Sequence, residues 1–181
     1  MPRFVALLRG VNVGKNNRVP MAELRALLEA RGCTDVHTVL NSGNAVFSSS
    51  ARSASTHADE ISTALQERLG VNVLVVVVSA KDFDAIVAEA PLLPPNADPS
   101  RVLVSFVTEP ATLAALRAWV ALAKAPEQFV VGERAAYLYC PAGVLASKVG
   151  SALVGKAGRA ATSRNWATVL KLAGLLQAEP T

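Results

Sequence analysis

The pattern of apolar and polar positions predicts alternating strands and helices in the first half of the chain. Apolar side chains three and four positions apart, as in residues 21–31, indicate a helix that buries one face. The predicted strands are residues 4–13, 36–40, 45–47 and 71–78, and the predicted helices are 21–31 and 58–69. This strand-helix-strand-strand-helix-strand order is that of the split βαβ, or ferredoxin-like, fold.

A second group of elements follows a proline-rich stretch. Four prolines crowd residues 91–100, which we interpret as a linker. Beyond the helix predicted at 81–90, the elements are strands at 102–107, 128–131 and 136–139 and helices at 110–124 and 165–176. Residues 147–163 are small and glycine-rich, which is typical of a loop. We therefore predict an α+β protein with a ferredoxin-like subdomain at 1–90, packed with a second, smaller α+β subdomain at 101–181.

Composition places the chain among well-packed globular proteins. Hydrophobic residues make up 51% of the 181 residues, and the mean hydropathy is +0.34. Cys33 and Cys140 are too few and too far apart for a disulfide framework or a metal site, so we expect two reduced, buried thiols. No secretory signal is evident, and the apolar run 71–78 is much shorter than the roughly 20 residues of a membrane span. We expect a cytoplasmic protein with no membrane partner, metal or cofactor.

Charge is strongly segregated along the chain. Ten of the 18 lysines and arginines fall in residues 1–22 and 134–178, which contain no carboxylate. Residues 23–133 hold the other eight cations against 13 acids. Such segregation says more than the net charge of +4, because cations concentrated on one surface attract an anion more strongly than scattered ones. An anionic partner is therefore expected.

The predicted topology gathers polar residues at one end of the first sheet. In a split βαβ fold the loop after the first strand, here 9–18, lies beside the turn between the second and third strands, here 41–44. Glycine lets the backbone approach an oxygen ligand, and a helix start offers N–H groups to an anion. The candidate ligand-binding residues are Arg9, Gly10, Asn12, Gly14, Lys15, Arg18, Asn41, Ser42, Gly43 and Asn44, joined by Arg164 and Asn165 from the C-terminal region.

Arg164 is included because of its predicted place in the last helix. With Thr162 or Ser163 as the cap, Arg164 and Asn165 would lie in the first turn. A cation is unfavourable there, at the positive end of the helix dipole. We therefore expect Arg164 either to pair with a carboxylate or to bind an anionic ligand alongside Arg9.

The motifs around these residues resemble a known family. Residues 8–14 read LRGVNVG, residues 42–44 read SGN, and residues 164–166 read RNW. Together they resemble the bacterial family called domain of unknown function 1697, over nearly the whole chain. The resemblance implies a two-subdomain α+β protein whose biochemical function is not established. Lys15, Asn41 and Ala167 stand where the family is expected to have glycine, glutamine and asparagine.

No catalytic residue can be assigned from the sequence. Gly10, Gly14 and Lys15 resemble a phosphate-binding loop, but the glycine spacing is one residue short, and Asn16 stands where a magnesium-binding serine or threonine is required. Ser42 lacks the Gly-x-Ser-x-Gly elbow of a serine nucleophile. Whether the protein is an enzyme therefore stays open.

The expected function is binding of a phosphate-bearing or other anionic ligand, either nucleic acid or a nucleotide-like small molecule, by a monomer or weak homodimer. Two alternatives stay open. The first is a small-molecule transferase, which a closed, partly apolar cleft around the polar cluster would favour. The second is an interaction protein in which the apolar strand 71–78 pairs with a second copy.

Overall fold

The protein has an α+β fold built from two four-stranded antiparallel sheets. A computed structural model describes residues 1–50, 53–91, 94 and 96–179. Contacts between residues divide the chain into two compact units, the first with Met1–Phe83 and Lys171–Thr181 and the second with Asp84–Leu170. These boundaries fall inside two helices rather than in the proline-rich stretch 91–100, of which residues 92, 93 and 95 lie outside the described residues.

The first unit has the predicted ferredoxin-like order. Its strands are arranged β2-β3-β1-β4, every neighbouring pair antiparallel. The elements in chain order are β1 (Arg3–Leu8), α1 (Met21–Glu29), β2 (Thr34–Val39), β3 (Asn44–Ser48), α2 (Ala54–Leu69) and β4 (Val75–Ser79). Strand β1 is shorter than predicted and β4 begins later, so residues 9–13 and 71–74 are available to connect elements.

The core of the first unit lies on the face of the sheet that carries Phe4, Ala6 and Leu8. Leu24, Leu27 and Leu28 of α1 pack against this core, as the helical spacing of the sequence predicts. From α2 the core receives, among others, Ile61 and Leu65. The side chains Val75 to Val78 of the edge strand β4 are buried as well. The strand therefore has both faces covered, as its uninterrupted apolar sequence predicts.

The second unit repeats the topology of the first. Its strands are arranged β6-β7-β5-β8, the order of the first sheet with each strand replaced by its counterpart. The elements in chain order are β5 (Val102–Val107), α4 (Pro110–Leu116), β6 (Gln128–Val131), β7 (Ala135–Tyr139), α5 (Lys148–Val154) and β8 (Ala161–Asn165). The sequence predicts a second α+β subdomain but shows no repeat of fixed period, so the repetition lies in the topology.

Two further helices complete the chain. Helix α3 (Ala80–Glu89) follows β4, and α6 (Trp166–Gln177) follows β8. The division between the units falls inside each of them, after Phe83 and after Leu170. Among the described residues, no helix has both the length and the hydropathy of a membrane span.

The prediction of a loop over residues 147–163 is wrong. This stretch contains α5, a short 3-10 helix (Lys156–Gly158) and most of β8. Helix α5 contains Gly150, where a side chain would collide with the Val144 carbonyl oxygen. Glycine disfavours a helix, and most residues of β8 are polar. Neither α5 nor β8 therefore shows the apolar periodicity by which a helix or a strand is predicted from sequence.

Candidate functional site

The loop 9–18 and the turn 41–44 lie side by side, as the predicted topology requires. The Leu8 backbone N–H donates to the Gly43 carbonyl at 2.8 Å, so the end of β1 is bonded to the turn. On the other side of β1, the Arg9 N–H donates to the Leu74 carbonyl at 2.9 Å. We refer to residues 9–18 and 41–44 together as the loop-turn surface.

Asn12 joins the two segments of the loop-turn surface. Its side-chain amide donates to the Asn41 carbonyl at 2.7 Å and to the Val19 carbonyl at 2.8 Å, while its Oδ1 accepts from the Val19 N–H at 2.9 Å. The Asn12 backbone N–H also donates to the Asn17 carbonyl at 3.0 Å. Asn12 therefore holds the loop closed and fixes it to the turn, which is a positioning role, and its predicted ligand contact stays a prediction.

Two other predicted ligand residues also shape the turn. The Asn44 amide donates to the Val39 carbonyl and to Ser42 Oγ, both at 2.9 Å, and Asn44 itself is fully buried. Gly43 has a φ of +81°, and a Cβ there would lie 2.7 Å from both Leu8 Cβ and Val11 Cγ2. Glycine at position 43 is thus required by packing as well as by backbone conformation.

The exposed cations and amides of the surface are accessible to a ligand. Lys15, Arg18 and Asn41 are exposed, and the structure shows no ion pair to Lys15 or Arg18 within the described part of the chain. Arg9 is half-buried, and desolvation lowers the pKa of its guanidinium. Gly10 and Gly14 adopt left-handed backbone conformations and have open space around them. The surface is therefore cationic and accessible.

One cation of the N-terminal stretch, Arg3, forms its contacts outside the loop-turn surface. Arg3 forms an ion pair with Asp35 at 2.7 Å, and its Nη1 donates to the carbonyls of Leu176 and Ala178 at 3.0 and 2.6 Å. His37 contacts the other Asp35 oxygen at 2.8 Å. Arg3 thus satisfies carbonyl groups at the end of α6 and adds nothing to the cationic loop-turn surface.

Arg164 and Asn165 do not occupy the first turn of the last helix. Both belong to β8, where Arg164 pairs with Val104 and Asn165 with Leu103. The Arg164 side chain is buried, donates to Thr162 Oγ1 and the Ser163 carbonyl, and has a pKa lowered to about 10 by desolvation. The prediction that Arg164 lies in the first turn of the last helix, at the positive end of its dipole, is therefore wrong.

Asn165, rather than Thr162 or Ser163, caps the last helix. Its Oδ1 accepts a hydrogen bond from the Thr168 N–H at 2.9 Å, the usual geometry of an asparagine cap. The side-chain oxygen of Asn165 thus caps the N-terminus of α6. Arg164 and Arg9 belong to different units, so their predicted cooperation in one ligand site stays a prediction.

The comparisons with known proteins give a family and a structural neighbour. A family model described as "Protein of unknown function (DUF1697)" matches residues 1–137, about three quarters of the chain. The chain belongs to this DUF1697 family. It is also similar to the conserved bacterial protein SP0830 from Streptococcus pneumoniae, with 26% identity and a TM-score of 0.78 over 97% of this chain and 99% of the other. None of the curated proteins matches it.

The DUF1697 match includes the whole loop-turn surface and ends before β8. Two of the three motifs that suggested the family, those at residues 8–14 and 42–44, therefore lie inside the matched region, and the motif at 164–166 lies outside it. The similarity to the pneumococcal structure covers the second unit as well. The structural similarity supports the α+β fold, and neither finding names a ligand or a reaction.

Proposed function

We propose that this DUF1697 protein binds a phosphate-bearing ligand, nucleic acid or a nucleotide-like small molecule, on the loop-turn surface. The observation that carries the proposal is the hydrogen bond from Asn12 to the Asn41 carbonyl, which holds a loop containing three cations against a second polar segment. Lys15 and Arg18 are exposed on that loop and have no ion pair with a carboxylate in the described structure.

The conformation of the loop supports an anionic ligand. Gly10, Asn12, Gly14 and Asn17 all have φ values between 53° and 68°, so left-handed residues recur through the loop. Such backbones can turn successive N–H groups toward one anion. Helix α1 begins at Met21, shortly after the loop, and Pro20 before it provides no side-chain cap for the first N–H groups.

Arg9 adds an electrostatic argument. Partial burial disfavours the charged guanidinium of Arg9, which is why its pKa is lowered. An anion bound within hydrogen-bond distance would stabilise the charged guanidinium further, because a charge-assisted hydrogen bond is about twice as strong as a neutral one. We assign Arg9 the specific contact and Lys15 and Arg18 the long-range attraction.

The test compares two double variants in a binding experiment. Lys15→Ala with Arg18→Ala removes the exposed cations of the loop, and Arg25→Ala with Arg31→Ala removes the same charge from the region of α1. Fluorescence anisotropy with a labelled DNA duplex, and calorimetry with ATP, measure the two ligand classes. We expect the loop variant to lose roughly tenfold in affinity for the true ligand class and the control variant to lose about twofold or less.

Salt dependence separates the two ligand classes. A duplex that contacts roughly 4 to 6 phosphates should lose affinity with a log-log slope of about −4 to −5, whereas a mononucleotide should give a much shallower slope. Equal losses in the loop and control variants would show that only net charge matters. Failure of both DNA and ATP to bind at low salt would contradict the proposal.

A further inference from the structure

The second unit contains a pocket whose lining includes no residue of the loop-turn surface. Its volume is about 300 Å³, and its walls come from α4, the 3-10 helix that continues α4 (Arg117–Leu122) and residues 157–161 before and within β8. All of these residues belong to the second unit. A volume near 300 Å³ is at the lower end of the range for small-molecule sites in proteins.

The lining is mostly apolar. Alanine and glycine predominate, Leu116 forms part of the floor, and Thr112 carries the polar side chain of the wall. Gly158 cannot be enlarged, because a Cβ there would collide with the Leu153 carbonyl oxygen. The small side chains of the lining leave the space that forms the pocket.

Trp119 gives the pocket one large aromatic wall. It lines the pocket, is half-buried and packs against the core of the second unit with its remaining surface. An indole face prefers an offset-stacked or edge-on aromatic ring at centroid distances of about 4.5 to 7 Å. A flat ring is therefore the group that this wall would recognise best.

Three cations are sequence neighbours of residues that line the pocket. Arg117 follows the lining residue Leu116, and Lys156 and Arg159 flank the lining pair 157–158. All three are exposed, and the described structure contains no ion pair for any of them. Glu109, just before α4, is the nearest carboxylate in the sequence. The balance of charge favours a ligand with an anionic group outside the ring.

We propose that this pocket binds a flat two-ring aromatic or heteroaromatic anion. The size of the ring system follows from the volume, because an apolar cavity of about 150 Å³ accommodates one benzene. The ring would stack on Trp119 between the alanines of α4 and those of residues 157–161, and its anionic substituent would face the exposed cations. This site is independent of the anion binding proposed for the loop-turn surface.

A pair of neighbouring alanines allows a matched test. Ala115 lines the pocket, whereas Ala114 is exposed on the same helix and does not line it. Leucine is a good helix former, so Ala115→Leu and Ala114→Leu add the same volume to the same helix at little conformational cost. Ala111→Leu, at another exposed lining position, serves as a second filling variant should Ala115→Leu not fold.

Calorimetry with three anions measures the effect: 2-naphthoate, indole-3-acetate and AMP. We expect at least one to bind more tightly than roughly 1 mM, to lose about tenfold or more in Ala115→Leu, and to change less than twofold in Ala114→Leu. The neutral counterparts 2-naphthamide, indole-3-acetamide and adenosine should bind about fivefold more weakly, the upper range for exposed charge pairs. Lys15→Ala with Arg18→Ala should leave 2-naphthoate binding unchanged.

Four results would overturn this proposal. The first two are failure of all three anions to reach millimolar affinity and equal losses in Ala115→Leu and Ala114→Leu. The third is binding of acetate or ribose 5-phosphate as tightly as of the corresponding aromatic anion, which would show that the ring contributes nothing. The fourth is a loss of 2-naphthoate binding in the loop variant, with Ala115→Leu unaffected, which would instead place the ligand on the loop-turn surface.

Discussion

Both the backbone conformation and the packing around position 43 require glycine there. Its backbone is left-handed, and its missing Cβ leaves room for Leu8 and Val11. We predict that Gly43→Ala lowers the free energy of unfolding by about 2 to 4 kcal/mol, through the left-handed conformation and through crowding at 2.7 Å. Urea unfolding followed by circular dichroism measures this loss.

Gly14 provides the matched control for that substitution. It is also left-handed, with a φ of +68°, but a Cβ there has no neighbour within 4 Å. Gly14→Ala should therefore lose only the backbone contribution, about 1 to 2 kcal/mol. If the two variants were equally destabilised, the packing of Gly43 against β1 would have no energetic consequence.

Asn12 and Asn44 show why residue types alone do not separate ligand contacts from structural hydrogen bonds. An asparagine in a loop beside arginine suggests a ligand contact, yet both amides are bonded to backbone carbonyls within the protein. A sequence shows that such groups are present but not whether the fold has already used them. Lys15 and Arg18 are exposed and have no ion pair in the described residues, so their role in a ligand site stays a prediction.

At the scale of elements, apolar periodicity predicted the first unit well and the end of the second unit poorly. Helix α1 and strands β2 and β3 have apolar stripes or turn signals that identify them without tertiary information. Strand β8 lacks such a signal, because one of its inward positions is Ser163, whose hydroxyl bonds to Ser105 of β5 at 2.7 Å. A strand stabilised by polar cross-strand pairs is recognisable only once its neighbour is known.

The position of β8 leads to a prediction about the helix that follows. Asn165 accepts the Thr168 N–H, so Asn165→Ala should cost about 1 kcal/mol of stability, while Asn165→Asp should retain the cap and gain from the helix dipole. Chemical denaturation of both variants at neutral pH measures the difference. Were Asn165→Ala instead to keep full stability and lose ligand affinity, the result would support the predicted place of Asn165 in a ligand site.

At the scale of the whole molecule, the segregated charge is less uniform than its sequence suggests. Arg3 is neutralised by Asp35, and Arg164 is buried, so two of the ten cations in the acid-free stretches are withdrawn from the surface. The remaining exposed ones include Lys15 and Arg18 in the first unit and Lys156 and Arg159 in the second. Each proposed site thus has exposed cations within it or next to its residues in the sequence.

The two units should nevertheless unfold together. Each unit contains one buried cysteine, Cys33 in the first and Cys140 in the second. Burial also raises the pKa of the Cys140 thiol, which further slows its reaction with alkylating agents. Helices α3 and α6 each contribute residues to both units, so opening one unit breaks a helix that the other requires. We predict that iodoacetamide labels both thiols at the same urea concentration, measured by mass spectrometry of the separated peptides. Labelling of one cysteine at distinctly lower urea would show instead that its unit unfolds by itself.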